Sequence, residues 1–284
     1  MKRMLLIYVS LLSFSLVKAQ NLHLTFFGGA SNYQGDLLPK RFTFQNSNTA
    51  LGIGFLYEMT DRLNFRANVT VGKIYGNDKE FPELASRNLS FSSPVTDIHL
   101  GLEYDLLNPY ENSLTPYLFT GLSIFKFNPS AIDTTGRKVF LQPLGTEGQG
   151  FFMGRTKYSL TQAALPFGGG VKLALSENIR LRFEIGFRKT FTDYLDDVST
   201  TYADQSMLLA KNGQRAVDLA FRADELKGTA TAYPPVSSMR GNSGNKDWYY
   251  FSGLGLSFRL SPIFDYGGYN PGRNNTTKCP KNVF

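Results

Sequence analysis

Between Ile179 and Phe187 the chain alternates without a break: Ile179, Leu181, Phe183, Ile185 and Phe187 take every second position, with Arg180, Arg182, Glu184 and Gly186 between them. A strand sends successive side chains to opposite faces, so this segment makes a ribbon that is apolar on one side and charged on the other. A helix would scatter the same residues around its circumference. The pattern recurs along the chain, and that recurrence is the strongest constraint on the fold.

Eight segments read as strands: 22–29, 49–59, 63–75, 95–106, 117–127, 163–175, 179–190 and 248–260. Most run for about 10 to 13 residues, enough to cross a bilayer at a tilt of about 45° and more than a usual soluble strand. The connections alternate in length. Short ones lie at 60–62, around Asn108-Pro109, and at 176–178; long ones run through 31–48, 76–94, 128–162 and 191–247. In an antiparallel meander all the long connections fall on one rim. The expectation is therefore an all-β protein, an eight-stranded antiparallel up-and-down transmembrane β-barrel with short periplasmic turns and long extracellular loops.

The strand faces fit that expectation. Leu63, Phe65, Ala67, Val69 and Val71 alternate with Asn64, Arg66, Asn68, Thr70 and Gly72; Ile98, Leu100, Leu102 and Tyr104 alternate with Asp97, His99, Gly101, Glu103 and Asp105. Leu51, Ile53, Phe55, Tyr57 and Met59 belong outside in strand two, and Tyr250, Leu254, Leu256, Phe258 and Leu260 in the last strand. Leu63, Phe65, Val69, Leu100, Leu102, Ile179, Leu181, Phe183, Ile185 and Phe187 are the expected lipid contacts. In 117–127 both faces are apolar, so its register stays open.

Eight closed strands leave an interior that side chains fill, without an aqueous channel. The inward set supplies Arg66, Lys172, Arg180, Arg182 and Arg188 against Glu58, Asp97, Glu103, Asp105 and Glu184. Buried charges require partners, so a near balance of sign predicts an ion network in the lumen. A soluble lipocalin-like barrel is the rival fold, but it would need the aliphatic face to line a cavity too narrow for it.

Residues 1–19 read as a signal peptide: Lys2 and Arg3 form a basic start, 4–17 an apolar run, and Val17-Lys18-Ala19 a cleavage site. The barrel is expected over 20–260 and a polar periplasmic tail over 261–284. No later apolar run reaches the roughly 20 residues of a membrane helix. The only cysteine, Cys279, lies in that tail, so no intramolecular disulfide forms. A net charge of +7 is spread without a basic block, which argues against nucleic acid as a partner. Trp248, Tyr249 and Tyr250 suit an aromatic girdle at the membrane interface.

Four segments carry a resemblance: 28–37 (GGASNYQGDL), 142–149 (QPLGTEGQ), 187–199 (FRKTFTDYLDDVS) and 248–251 (WYYF). Together they resemble the PorG-like outer-membrane proteins of Bacteroidetes. The resemblance implies a structural, non-enzymatic component of the type IX protein-secretion and gliding machinery. It also implies partners, namely the lipid bilayer, a PorK-like lipoprotein and PorN-like periplasmic ring proteins, and no cofactor. It brings no catalytic residues with it.

Other features have two readings each. His23 and His99 fall on inward positions, where imidazole serves either acid-base chemistry or packing; packing is the expectation. Asp193, Asp196, Asp197 and Asp204 supply hard oxygen ligands, yet their spacing does not fit an EF-hand, and pairing with Arg188, Lys189 or a neighbouring loop is expected instead. Gly168-Gly169-Gly170 precedes no helix, so it serves wall curvature better than a phosphate cradle. Ala216, Leu219, Ala220, Ala223 and Leu226 recur at helical spacing and predict a short amphipathic helix that caps the barrel mouth or docks a partner. The segments around Thr146 and Asp197 are expected to pack together. The functional expectation is an outer-membrane anchor or scaffold; an outer-membrane enzyme acting on lipid A or peptides, and a surface adhesin or stability barrel, are the alternatives.

Overall fold

The computed structural model describes residues 21–38, 46–226 and 232–260. The expected signal peptide and the tail with Cys279 lie outside them. Among the described residues the strands are β1 (Leu22–Gln34), β2 (Asn48–Glu58), β3 (Leu63–Asn77), β4 (Ser90–Asp105), β5 (Leu114–Phe127), β6 (Ser130–Ile132), β7 (Lys138–Phe140), β8 (Thr161–Ala174), β9 (Ile179–Thr190) and β10 (Trp248–Arg259). Two helices, α1 (Gln205–Asn212) and α2 (Gln214–Ala220), lie in the β9–β10 connection.

Eight of these strands close on themselves. The ring runs β1-β2-β3-β4-β5-β8-β9-β10, each pair antiparallel, and β10 returns to β1 through pairs such as Leu256 with Phe26. Closure satisfies the edge hydrogen bonds that an open sheet would expose, which is the condition for a strand structure in hydrocarbon. The short connections sit on one rim and the long ones on the other, as the alternation of lengths predicts.

Several strands outrun their expected ends, β5 and β8 by starting at Leu114 and Thr161. β1 continues to Gln34, β3 to Asn77, and β4 starts at Ser90 rather than at 95. Pro94 reads in sequence as a strand breaker. It is tolerated because β5 ends its ladder at Phe127 opposite Val95, and the Ser93 hydroxyl accepts the next donor, Asn128 N, at 2.9 Å. The hairpin β6–β7 is an addition that the sequence reading placed in a loop. It joins the upper end of β4 through Ser130 opposite Ser92.

Pairing with β4 settles the open register of β5. Phe119 lies opposite Glu103 and Phe125 opposite Asp97, so Tyr117, Phe119, Phe125 and Phe127 point inward. Leu118, Leu122 and Ile124 point outward; Leu122 is 69% exposed and Phe125 fully buried. Phe65, Val69, Leu100, Leu102 and Phe183 are likewise exposed on the outer wall, and Leu63, Ile179, Leu181, Ile185 and Phe187 are half-buried there by neighbours of the same face. So broad an apolar belt is incompatible with a water-facing surface and fits a lipid-facing one.

Tyr249 departs from the girdle expectation. It points into the barrel, is fully buried, and donates its hydroxyl to Asp97 at 2.6 Å, while Trp248 and Tyr250 take the outer face. Period two allows no other result for three consecutive aromatics. The sequence expectation for Gly168-Gly169-Gly170 is wall curvature; two of the three glycines instead make space inside the lumen. A Cβ at Gly168 would collide with the Phe119 ring, and one at Gly170 with the Tyr117 ring, so both glycines make room for aromatics that fill the lumen.

Candidate functional site

The ten charged residues expected in the lumen all reach it. Nearest the short-turn rim, Glu58 accepts from His23 Nε2 at 2.9 Å, from Arg180 Nη1 at 3.3 Å and from the Tyr110 hydroxyl. In the next layer Glu103 lies between Lys172 (2.6 Å), Arg182 (2.5 Å) and Arg66 (3.3 Å). Asp105 takes Lys172 at 2.6 Å and Asn64 at 2.9 Å. Glu184 receives Arg66 at 2.9 Å and the Tyr117 hydroxyl at 2.8 Å. Above them Asp97 faces Arg188 at 3.5 Å. Ions held this way are stable only as a set, because removing one partner leaves a desolvated charge behind.

Aromatic faces complete the plug. The Arg66 guanidinium lies 4.0 Å from the centre of the Phe119 ring, and Arg182 and Lys172 lie 4.7 and 5.1 Å from that of Tyr117. These partners escaped the sequence reading because they belong to β5, whose face no alternation of polarity marks. The plug leaves an internal cavity of about 40 Å³ bordered by Thr25, Thr70, Arg66, Arg182, Glu184 and Arg188. That is space for a few waters, not a conduit.

His23 is committed to Glu58, and His99 is sealed in mid-barrel with neither ring nitrogen hydrogen-bonded. A serine stands beside His99: Ser123 is its cross-strand partner, a juxtaposition visible only once β5 has its register. The Ser123 hydroxyl is also without a hydrogen bond, and both side chains are buried under the loops of the long rim. The pair is a packing contact.

Those loops form a second buried polar cluster. Thr146 Oγ1 donates to Asp197 Oδ2 at 2.5 Å, and the Tyr158 hydroxyl to Asp197 Oδ1 at 2.6 Å, so the segments around Thr146 and Asp197 do pack together. Asp197 adopts φ 67°, a left-handed conformation that an aspartate bears more readily than most residues. Glu147 accepts from Ser199 N at 2.9 Å, Thr200 N at 3.0 Å and Thr200 Oγ1 at 2.6 Å. Arg240 closes the cluster on Glu147 Oε1 at 3.0 Å, the Asp197 carbonyl at 2.5 Å and the Ala220 carbonyl at 3.1 Å. Arg87 adds the first two loops by reaching Asp78 Oδ1 at 2.7 Å, the Asp36 carbonyl at 2.9 Å and the Arg240 carbonyl at 2.7 Å.

The four loop aspartates do not gather into one site, and Arg188 and Lys189 are not their partners. Asp196 accepts from the Tyr33 hydroxyl at 2.5 Å, and Asp204 caps α1 by accepting from Met207 N at 2.8 Å. Asp193 is buried with both carboxylate oxygens unpartnered. Burial raises the Asp193 carboxyl to about 7, with Asp36 adding to the rise. Burial likewise lifts Asp197 to about 6 against the opposing pull of Arg240. Among the described residues no group of three or more histidine, cysteine or acidic side chains is placed to hold a metal ion.

The helical expectation holds in part. α2 covers Gln214–Ala220 and stops at Phe221, which is extended; Ala223–Glu225 form a separate 3-10 turn. α1 was not foreseen, since its pattern is weakly amphipathic. Ala216, Val217 and Ala220 of α2 pack with Leu208 of α1 against Leu144 and Phe151 of the third long loop. These side chains are spent on the cap itself, while Met207 and Leu209 of α1 stay exposed.

A family model described as a domain of unknown function, DUF6089, matches residues 2–143, half of the 284-residue chain. The chain belongs to this family. Solved structures similar to the DUF6089 chain include the Neisserial surface protein A, at 13% identity over 84% of this chain and 96% of that one, with a TM-score of 0.43. Ail, the attachment invasion locus protein of Yersinia pestis, is 10% identical over 84% and 98% (TM-score 0.38). The outer membrane protein OprG of Pseudomonas aeruginosa is 12% identical over 84% and 97% (TM-score 0.39). No curated protein matches the sequence. The DUF6089 chain's own strand register, closed ring and apolar belt make it an eight-stranded β-barrel of the membrane-spanning kind.

Proposed function

We propose that this chain is a non-enzymatic outer-membrane barrel of a Gram-negative bacterium that scaffolds the type IX secretion and gliding machinery, as the PorG-like resemblance implies. The long loops then face outside and the short turns face the periplasm. The observation that carries this reading is the interlock of the resemblance segments. Tyr33 of the first meets Asp196 of the third at 2.5 Å, and Thr146 of the second meets Asp197 at 2.5 Å. Residues distant in sequence are thus spent on a rigid cap over a filled lumen, which supports a structural pillar better than a pore or a catalytic cleft. The turns at 59–62, 106–113 and 175–178 are the surfaces left for a PorK-like lipoprotein and a PorN-like ring among the described residues.

Affinity isolation from mildly solubilised outer membranes tests it. The expected result is co-isolation of a PorK-like or PorN-like protein and a secretion defect on deletion. Absence of both, in a strain with normal secretion, refutes the scaffold.

A further inference from the structure

The wall formed by β8, β9 and β10 carries an apolar groove on its outer side, with a volume of about 740 Å³. Phe167, Val171, Phe183, Ile185 and Phe187 border it, and Gly169 and Ser252 keep it open by lacking bulk. It extends from the Val171–Phe183 pair to the Phe167–Phe187 pair, four residues of strand or roughly 13 Å. At that end Phe167 and Phe187 also border a second hollow, of about 1180 Å³, which contains Lys189, Lys246 and Trp248.

The two hollows differ in chemistry. The lower one meets apolar side chains and two hydroxyl-bearing residues, Tyr250 and Ser252. In the upper one Lys189 projects outward from the end of β9, paired with Trp248 and with its Nζ 5.8 Å from the centre of the Trp248 ring. Lys246 Nζ donates to the Ser243 carbonyl at 2.9 Å. Both lysines are exposed, and neither forms an ion pair among the described residues. Two acids share the hollow: Asp36 accepts from Asn242 N at 2.9 Å, and Glu83 is exposed to solvent screening. A lysine on the outer wall is costly in hydrocarbon and settles at headgroup depth, the level a Trp also prefers.

We propose that this composite groove binds an anionic, phosphate-bearing acyl lipid of the adjoining leaflet, its chain running from the Phe167–Phe187 row to the Val171–Phe183 row past the gaps at Gly169 and Ser252 that flank Ile185, and its phosphate between Lys189 and Lys246. The complementarity is of both kinds: chain against apolar wall, anion against two exposed lysines that make no salt bridge among the described residues, Lys246 having only the longer-range pull of Asp193 to share. The site stands on the outer wall and does not depend on the scaffold reading.

The test reconstitutes the full barrel in nanodiscs of equal phosphatidylcholine and phosphatidylglycerol, followed by mild detergent extraction and counting of retained lipid by native mass spectrometry. Phosphatidylglycerol is expected to be retained in excess. Lys189→Gln and Lys246→Gln should each lower that retention about fivefold, while Ser252→Leu should lower retention of both lipids. Heat-modifiable gel migration checks that each variant is folded, and the exposed lysine variants keep the test valid if Ser252→Leu is not. Equal retention of the two lipids, unchanged retention in the folded double lysine variant, or displacement of the lipid by millimolar inorganic phosphate overturns the proposal.

Discussion

Arg240 and Glu147 stand 93 residues apart and meet at 3.0 Å, with side chains 2% and 0% exposed. Because Arg240 also reaches backbone carbonyls of Asp197 and Ala220, one guanidinium joins the third long loop to two other parts of its own loop, the fourth. Arg240→Met should leave Glu147 charged and unpaired inside the cap, at a cost of about 3–5 kcal/mol to the loops. The expected outcome is rapid protease cleavage between 142 and 240 with the barrel still heat-modifiable. Wild-type resistance in the variant would remove Arg240 from that role.

Glu103 offers a parallel test inside the lumen. Three cations converge on it, so Glu103→Gln leaves Arg66, Lys172 and Arg182 under-compensated and should lower stability by about 3–5 kcal/mol. Adding Arg182→Met should restore part of the loss, because it removes one of the stranded charges while its other partner, Glu184, keeps Arg66. Urea titration of the barrel in vesicles, read by gel mobility, measures both; simple additivity would mean that the pair is not coupled.

The cap should loosen as pH rises. Asp193 and Asp197 titrate at about 7 and about 6 when folded, above the ordinary aspartate value of about 3.9. The closed cap therefore holds protons that opened loops release. The contribution of these two aspartates to cap stability is fully present below about pH 4 and declines as pH passes through the two folded values. Amide exchange at Ser199 and Thr200, corrected for intrinsic rate, should be slower at pH 5 than at pH 8. Asp193→Asn, which imitates the protonated group, should reduce the difference; protection that grows with pH would contradict the assignment.

Gly170 tests the packing of the plug. A side chain there meets the Tyr117 ring and the Phe183 carbonyl, so Gly170→Val should displace Tyr117 from Glu184 and cost about 1–3 kcal/mol through overpacking. Gly169→Val is less informative, as its Cβ points toward Leu118 on the outer side. Loss of heat-modifiable migration in the first variant, at temperatures where the wild type survives, is the expected readout.

Alternation alone marked β9 to the residue, because Arg180, Arg182 and Glu184 allow only one face to meet lipid. The same local rule placed the ten lumen charges and the alternation of loop lengths. It was silent on β5, where Tyr117 and Leu118 are equally apolar and only pairing with Glu103 and Asp97 of β4 selects the inner face. It also missed Tyr249 as an inner residue, since an aromatic triplet looks uniform until period two divides it.

Within the long loops sequence had less to offer. Ala216 to Ala220 carried a helical period, but Asp197, Glu147 and Arg240 lie in segments without any period, and their meeting depends on four loops converging above the ring. By itself, then, the sequence determined an all-β chain with one lipid face, one charged face and one rim of long loops, because strand periodicity and turn length are local properties. Tertiary structure alone decided the register of β5, the partners of each buried charge and the locking of the loops. Those outcomes depend on which distant residues share a desolvated space, and no local pattern records that.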